Sequence, residues 1–144
     1  MILLIEDNAD DEALTVRALK KNNIANEMVV ARDGAEALDY MFGTGAQEGH
    51  SVASKLKLIL LDLKLPKLDG LEVLRRLRAD ARTRLLPVVI LTSSDEEQDR
   101  ISGYGLGANS YVRKPVNMND FVAAVLQLGL YWLVLNHAAP ERAL

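Results

Sequence analysis

The sequence predicts an α/β protein built on a doubly wound parallel sheet. Short runs of valine, isoleucine and leucine alternate along the chain with segments of helical periodicity, and this strand–helix alternation repeats five times. Strands of that composition are buried on both faces of a parallel sheet, with helices covering each side. The chain has 144 residues, of which 49% are hydrophobic, and this is enough for one domain with a sizeable core.

The first half of the chain supplies three predicted strands and two helices. Its strands are short apolar runs next to polar residues, at 1–5, 27–31 and 56–62. Its helices carry apolar residues at helical spacing and span 10–22 and 34–42. Residues 43–55 are rich in glycine and serine and have no apolar period, which predicts a mobile loop.

Two more strands and three more helices are predicted in the second half. Asp69 caps a helix that ends near Asp80 and turns its leucines inward. The segment "SDEE" at 94–97 has the form of a capping box and opens a helix that ends near Leu106. The remaining elements are strands at 87–91 and 110–113 and a last helix at 117–135.

The composition excludes several classes of function. The chain contains no cysteine, which excludes disulfides and cysteine–zinc sites, and its net charge of −3 does not favour nonspecific binding of nucleic acid or anionic membranes. The N-terminus runs from apolar to acidic residues without a basic region, unlike a signal peptide. The apolar stretch 121–135 is shorter than the roughly 20 residues of a membrane-spanning helix. We therefore expect a cytoplasmic protein that binds neither nucleic acid nor membrane.

Polar residues follow the predicted strands where their carboxyl ends meet. Glu6 and Asp7 follow the first strand, Asp62 ends the third, and Thr92 and Lys114 follow the fourth and fifth. Ligands of open parallel sheets bind at this edge. Neighbouring carboxylates repel one another by roughly 4 kcal/mol per pair at an effective dielectric constant of about 20, so a cation is required. A hard divalent ion, Mg2+ above all, together with a lysine and a hydroxyl makes a phosphoryl-binding site.

Four sequence signatures carry a family resemblance. The acidic pair Glu6–Asp7 and the segments "LLDLKLPKLDG", "VVILTSS" and "YVRKP" resemble those of two-component response-regulator receiver domains in order and spacing. The resemblance covers about residues 1–135, with a tail at 136–144. It implies a flavodoxin-like (βα)5 sandwich with strand order 2-1-3-4-5. It also implies a single-domain response regulator, which is a signalling switch rather than an enzyme.

The resemblance assigns the phosphoacceptor and the metal ligands. Asp62 would take a phosphoryl group from the phosphohistidine of a sensor histidine kinase. Asp7 and Asp62 would bind Mg2+ directly, together with the backbone carbonyl of Lys64, and Glu6 would act mainly through water. The burial of Asp62 at a strand end is then explained, because metal and lysine share its site.

It also assigns the residues that bind the phosphoryl group and transmit the signal. Thr92 and Lys114 would each bond a phosphoryl oxygen. Tyr111 would be the switch aromatic, which turns inward when Thr92 moves toward the phosphoryl group. The peptide bond before Pro115 is expected to be cis, because that geometry would aim the lysine.

Several residues and the function itself have alternative interpretations. Asp62 could be a turn-forming acid, Asp10 and Asp11 are interpreted as helix-dipole acids, and Ser94 as a cap. The alternative function is a receiver-fold binding module that acts without phosphorylation and would lack one of the signature residues, all of which are present. A phosphohydrolase of the haloacid dehalogenase type would require an acid where Lys64 stands. A flavodoxin-like cofactor binder would require a phosphate-binding loop where the chain is acidic.

The last two predicted helices suggest how a signal leaves the site. Gly103 and Gly105 each cost about 1 kcal/mol relative to alanine inside a helix, which predicts a fourth helix weak enough to shift. The 29 residues after Pro115 leave room for one helix and a tail, so we expect output through protein–protein interaction.

The last helix is apolar on two sides and so has to be covered on both. One stripe is assigned to the core, at Phe121, Val125, Leu128 and Trp132. The other predicts a homodimer interface, at Val122, Leu126, Leu130 and Leu133, unless the tail folds back over it. The loop 43–55 and the "YW" pair resemble the single-domain regulators that partner bacterial phytochromes, which makes a phytochrome one expected kinase.

Overall fold

Five parallel strands form one sheet in the computed structural model, which describes residues 1–24, 27–94, 96–115 and 117–140. The order is β2-β1-β3-β4-β5, and every neighbouring pair is parallel. The predicted fold class and strand order are therefore confirmed. The strands are β1 (Ile2–Ile5), β2 (Met28–Ala31), β3 (Leu58–Leu61), β4 (Val88–Thr92) and β5 (Ser110–Arg113).

The helices alternate with the strands and lie within two residues of the predicted bounds, except at the end of the last helix. They are α1 (Ala9–Lys21), α2 (Gly34–Phe42), α3 (Gly70–Ala79), α4 (Glu97–Gly105) and α5 (Met118–Leu130). The helix of α5 continues as a π-helical segment at Tyr131–Leu135, which ends with the Asn136 amide donating to the Tyr131 carbonyl. Side chains that accept hydrogen bonds from first-turn amides cap four of the five helices, at Asn8, Asp33, Asp69 and Asn117.

The core has two parts, one on each face of the sheet, because successive strand residues point to opposite faces. Leu3, Ile5, Ile59 and Leu61 pack with α2 and α3. On the other face, strand residues pack with α1 and α5. The strand residues include Ile2, Leu4, Leu58 and Leu60, and the helix residues include Leu19, Phe121 and Val125. The strands are thus packed on both faces, and because they are parallel the residues at their carboxyl ends share one edge.

Two local predictions differ from the structure. The predicted loop at 43–55 contains 3₁₀ turns at Gly45–Gln47 and Ala53–Lys55, and the Val52 amide donates to the carbonyl of Tyr40 in α2. The predicted capping box at 94–97 is wrong. Position 95 lies outside the described residues, but the other three positions can be compared with the prediction. The helix begins at Glu97, and its N-cap Glu96 makes no side-chain capping bond. Ser94 instead donates to Asp99.

The last helix, with its π-helical extension, ends at Leu135, as the sequence predicted. Together α5 and its π-helical extension form an 18-residue helix, Met118–Leu135, which is long and apolar enough to cross a membrane by length and composition alone. Length alone therefore does not distinguish this helix from a membrane-spanning one, and the core helix of a soluble protein passes the same test. Phe121, Val125 and Gly129 are nevertheless buried against the sheet and α1, as in a core helix of this fold.

Candidate functional site

The carboxyl edge of the sheet gathers the predicted polar residues. Glu6 and Asp7 follow β1 directly, Asp62 follows β3, and Lys114 follows β5. Oxygen atoms of Glu6, Asp7 and Asp62 all lie within 4.8 Å of one another. Glu6 and Asp62 are buried whereas Asp7 is exposed, so the acidic cluster opens to solvent on the Asp7 side.

The ammonium group of Lys114 contacts three of the acidic side chains in the site. Its Nζ donates to Glu6 Oε2 at 2.7 Å, to Asp11 Oδ2 at 2.8 Å and to Asp62 Oδ2 at 3.1 Å. Its side chain is only 9% exposed. We call these four residues the Lys114 cluster. One ammonium therefore neutralises only part of the charge of three carboxylates. The site keeps a net negative charge, which favours binding of a further cation.

Asp11 is a member of the cluster that the sequence analysis missed. It was interpreted as a helix-dipole acid, and it does lie in the first turn of α1. Its position in the first turn of the helix after β1 could have identified it. The first turn of a helix that follows a parallel strand lies at the carboxyl edge, so an acid there can reach the ligand site.

The predicted cis bond before Pro115 is wrong, because the Lys114–Pro115 peptide is trans in the structure. The backbone amide of Lys114 donates to the Thr92 carbonyl at 2.6 Å, which extends the pairing of β5 with β4 by one residue. From that position the lysine side chain already reaches Glu6, Asp11 and Asp62.

The acidic cluster fits a hard divalent cation. Ions such as Mg2+ take oxygen ligands and are often held by one or two carboxylates, with waters filling the remaining positions. Asp7 and Asp62 offer such oxygens, one exposed and one buried, and Glu6 stands beside them. The donor set contains only carboxylate oxygens, without the nitrogen or sulfur ligands that would favour zinc.

Burial shapes the ionisation of the two most enclosed members of the cluster. Burial raises the pKa of Glu6 to about 7, aided by the nearby charge of Asp62 and opposed by the hydrogen bond from Lys114. For Lys114 burial lowers the pKa, but hydrogen bonds to Asp11 and Glu6 outweigh it, so the net pKa is raised. Lys114 therefore stays charged at neutral pH.

Comparison with known proteins agrees with this geometry. The family model of the response regulator receiver domain matches residues 2–126. The chain belongs to the receiver domain family of response regulators. Its relative Rcp1 of Synechocystis sp. is 38% identical over 133 residues, which cover 92% of this chain and 88% of Rcp1.

Solved structures of response regulators are similar over nearly the whole receiver. The Mn2+-bound form of Rcp1 superposes with a TM-score of 0.89 at 36% identity, covering 96% of this chain and 98% of that one. The phosphorylated cyanobacterial phytochrome response regulator RcpA gives 0.89 at 36% identity, with coverages of 96% and 97%. The bacteriophytochrome response regulator AtBRR is 52% identical with a TM-score of 0.69, covering 94% and 96%. These similarities support the phytochrome-associated branch of the family.

Two glycines allow the β3–α3 loop of the receiver to lie close to the neighbouring helices beside Asp62. A side chain at Gly70 would overlap the backbone carbonyl of Asp62 and approach the Leu63 Cα to 2.7 Å. A side chain at Gly34 would overlap the backbone carbonyl of Leu68. The loop can therefore lie close to α2 and α3 only because these positions lack a Cβ.

The predicted switch residues of the receiver meet at Ser94. Thr92 is fully buried, and its Oγ1 accepts from the Ser94 amide at 3.4 Å. Tyr111 is half-buried, and its hydroxyl donates to the Ser94 carbonyl at 3.0 Å. Its ring also lies against Gly103 of α4, where an added Cβ would come within 3.4 Å of it. Ser94, interpreted from the sequence only as a cap, links Thr92 to Tyr111.

Proposed function

We propose that this receiver accepts a phosphoryl group on Asp62 from the phosphohistidine of a sensor histidine kinase, in a Mg2+-dependent reaction. The observation that supports it best is the Asp62 carboxylate, buried at the end of β3 and 3.1 Å from the Lys114 ammonium beside two further acids. An Asp62 oxygen forms a bond to phosphorus as the phosphorus–nitrogen bond to the imidazole breaks, and the leaving imidazole takes a proton from solvent.

We assign the other site residues to holding the metal and the phosphoryl group. Asp7, Asp62 and the Lys64 backbone carbonyl would bind Mg2+, with Glu6 acting through water, and the ion when bound would neutralise the charge on the phosphoryl oxygens. Lys114 leaves part of its hydrogen bonding with the acids to pair with one phosphoryl oxygen. The buried hydroxyl of Thr92 donates to another.

The signal then passes from Thr92 to Tyr111. When Thr92 moves toward the phosphoryl group, its bond with the Ser94 amide and the Tyr111–Ser94 contact reorganise together, because both involve Ser94. α4 lies against Tyr111 through Gly103 and moves with it. Phosphorylation thereby controls protein–protein interaction, and self-catalysed hydrolysis of the aspartyl phosphate resets the switch.

We infer that the partner kinase is a phytochrome. The relatives named as phytochrome or bacteriophytochrome response regulators support this assignment, since similarity to them extends over at least 94% of this chain. The reaction would take place in the cytoplasm, with the receiver (residues 1–135) acting without contact to nucleic acid or membrane.

Replacement of Asp62 by asparagine is expected to abolish phosphorylation. Wild-type protein incubated with phosphoramidate, which contains the same phosphorus–nitrogen bond as phosphohistidine, should gain one phosphoryl group by intact mass in Mg2+ but not in EDTA. Asp10→Asn removes an exposed acid outside the Lys114 cluster and should behave as wild type. If neither phosphoramidate nor a phosphorylated kinase modifies the wild type, the binding module that acts without phosphorylation becomes the better interpretation.

We also propose that the chain forms a homodimer through α5 and its extension. Of the four predicted interface residues, Leu130 is exposed, whereas Val122, Leu126 and Leu133 are half-buried against the core. Leu130 continues into further exposed apolar side chains at Tyr131, Val134 and Leu135. The centre of the proposed interface therefore lies nearer the end of the helix than the sequence indicated.

Leu130→Lys is expected to convert the dimer to a monomer, because a charge would have to be buried at the interface. The measurement is light scattering coupled to size exclusion, with and without phosphorylation of Asp62. Leu85→Lys is the matched control, since Leu85 is also half-exposed, at 50%, but lies before β4. A wild type that is monomeric in both states would refute this interface.

A further inference from the structure

Lys64 joins the site to α4. Its backbone amide donates to Asp62 Oδ1 at 3.4 Å, so the residue lies at the rim of the acidic cluster. Its ammonium lies 3.6 Å from Asp99 Oδ2, in the first turn of α4. The Lys64 side chain is 62% exposed and that of Asp99 only 15%, so the aspartate is the enclosed partner and the lysine the solvent-exposed one.

The same oxygen of Asp99 holds the loop that carries the switch contacts. Ser94 Oγ donates to Asp99 Oδ2 at 2.6 Å. Ser94 is in turn bonded to Thr92 Oγ1 through its amide and to the Tyr111 hydroxyl through its carbonyl. One carboxylate therefore binds a charged side chain from the β3–α3 loop and a hydroxyl from the β4–α4 loop.

We propose that Asp99 is a positioning residue that holds the Lys64 ammonium at α4 in the unphosphorylated receiver and releases it to the phosphoryl group on Asp62. This inference rests on the proposed function. A phosphoryl group carries close to two negative charges near neutral pH, against one on Asp99, and it would form within two residues of Lys64. The four-carbon stem of lysine is flexible enough to move its charge between such neighbours.

The release has a consequence for α4. Once Lys64 turns to the phosphoryl group, Asp99 keeps its bond from Ser94 but loses its ion pair with the β3–α3 loop, and α4 is held less firmly to that loop. α4 is suited to respond, because its N-cap Glu96 makes no side-chain capping bond and glycines occupy positions 103 and 105. Asp99 thereby sets both where the Lys64 charge lies and how firmly α4 is held.

A double-mutant cycle tests this proposal. The probe is beryllofluoride, which occupies a carboxylate oxygen in the manner of a phosphoryl group, titrated at fixed Mg2+ and followed by fluorine NMR. Asp99→Asn keeps an oxygen that can accept from Ser94 but removes the charge that competes for Lys64. It should bind beryllofluoride roughly two- to five-fold more tightly than wild type, the range expected for loss of a partly exposed ion pair. In a Lys64→Met background the same substitution should change nothing.

Controls separate this role from a structural one. Glu97→Gln removes an exposed charge from the same helical turn and should leave binding unchanged. Lys64→Met alone should weaken binding by roughly two- to five-fold, which tests the lysine even if Asp99→Asn does not fold. An equal effect of Asp99→Asn with and without Lys64, or weaker binding in that variant, would overturn the proposal. Failure of the wild type to bind beryllofluoride or to be phosphorylated would instead count against the proposed function itself.

Discussion

Replacement of Lys114 by methionine is expected to lower the free energy of unfolding by about 3 kcal/mol at neutral pH without a divalent metal. The ammonium donates to Glu6, Asp11 and Asp62 and is almost fully buried. Methionine fills a similar volume but leaves three neighbouring carboxylates without their common partner. Phosphorylation by phosphoramidate should also be lost, because the proposed counter-ion of the phosphoryl group is missing.

The loss of stability in this variant should depend on pH with a defined sign. Burial already raises the pKa of Glu6 to about 7, and without the lysine that pKa loses the hydrogen bond that lowers it. The folded state then binds more protons at Glu6 than the unfolded state from about pH 4.5 to above pH 7, so stability increases as the pH falls through that window. Mg2+ should restore part of the stability at pH 8 by supplying positive charge to the same oxygens.

Urea denaturation at pH 6 and pH 8, in EDTA and in Mg2+, provides the measurement. Lys67→Met is the matched control, because Lys67 makes an exposed ion pair with Asp33 at 3.4 Å, and its loss should cost less than about 1 kcal/mol. A Lys114→Met protein with wild-type stability in EDTA at pH 8 would contradict the charge balance described for the cluster.

Gly70→Ala is expected to destabilise the protein by about 3 kcal/mol and to slow phosphorylation on the order of 100-fold. The added Cβ would overlap the backbone carbonyl of Asp62, and backbone cannot yield as the end of a flexible side chain does. The amide of Gly70 also donates to the Leu63 carbonyl at 3.0 Å. Relief of the overlap would therefore break this hydrogen bond between the loop and the start of α3. A displacement of the Asp62 carboxylate would follow.

Gly105→Ala provides the contrast, because an added Cβ there meets nothing within 4 Å. It should stabilise α4 by about 0.5 kcal/mol through helix propensity alone. Thermal unfolding and the initial rate of phosphorylation by phosphoramidate measure both variants. Wild-type values for Gly70→Ala would show that the β3–α3 loop can move without cost, and the role assigned to this glycine would be wrong.

The strand ends illustrate how far sequence reasoning reaches in this protein. Asp62 follows an apolar run that is typical of a buried strand, and Glu6, Asp7 and Lys114 each follow another such run. Because all strands are parallel, the edge that collects these residues is determined once the alternation of strands and helices is recognised. Their meeting at one site was predictable even though Glu6 and Lys114 are 108 residues apart.

Side-chain partners were less predictable. Asp11 has the sequence context of an ordinary first-turn acid, yet it shares the Lys114 ammonium. Ser94 has the context of a helix cap, yet its hydroxyl binds Asp99, and its backbone binds Thr92 and Tyr111. In each case the choice of partner depends on how the loop leaves its strand, for which hydrophobic periodicity carries no information.

The sequence by itself determined the fold class, the edge at which the site forms and the residue types that meet there, because these follow from a period of two or 3.6 residues and from the direction of parallel strands. Only the tertiary structure decided the trans bond before Pro115, the sharing of Lys114 among three acids and the pairing of Lys64 with Asp99. It also decided which apolar side chains of the last helix stay exposed. These features depend on distances between elements remote in sequence, and such distances are set by packing.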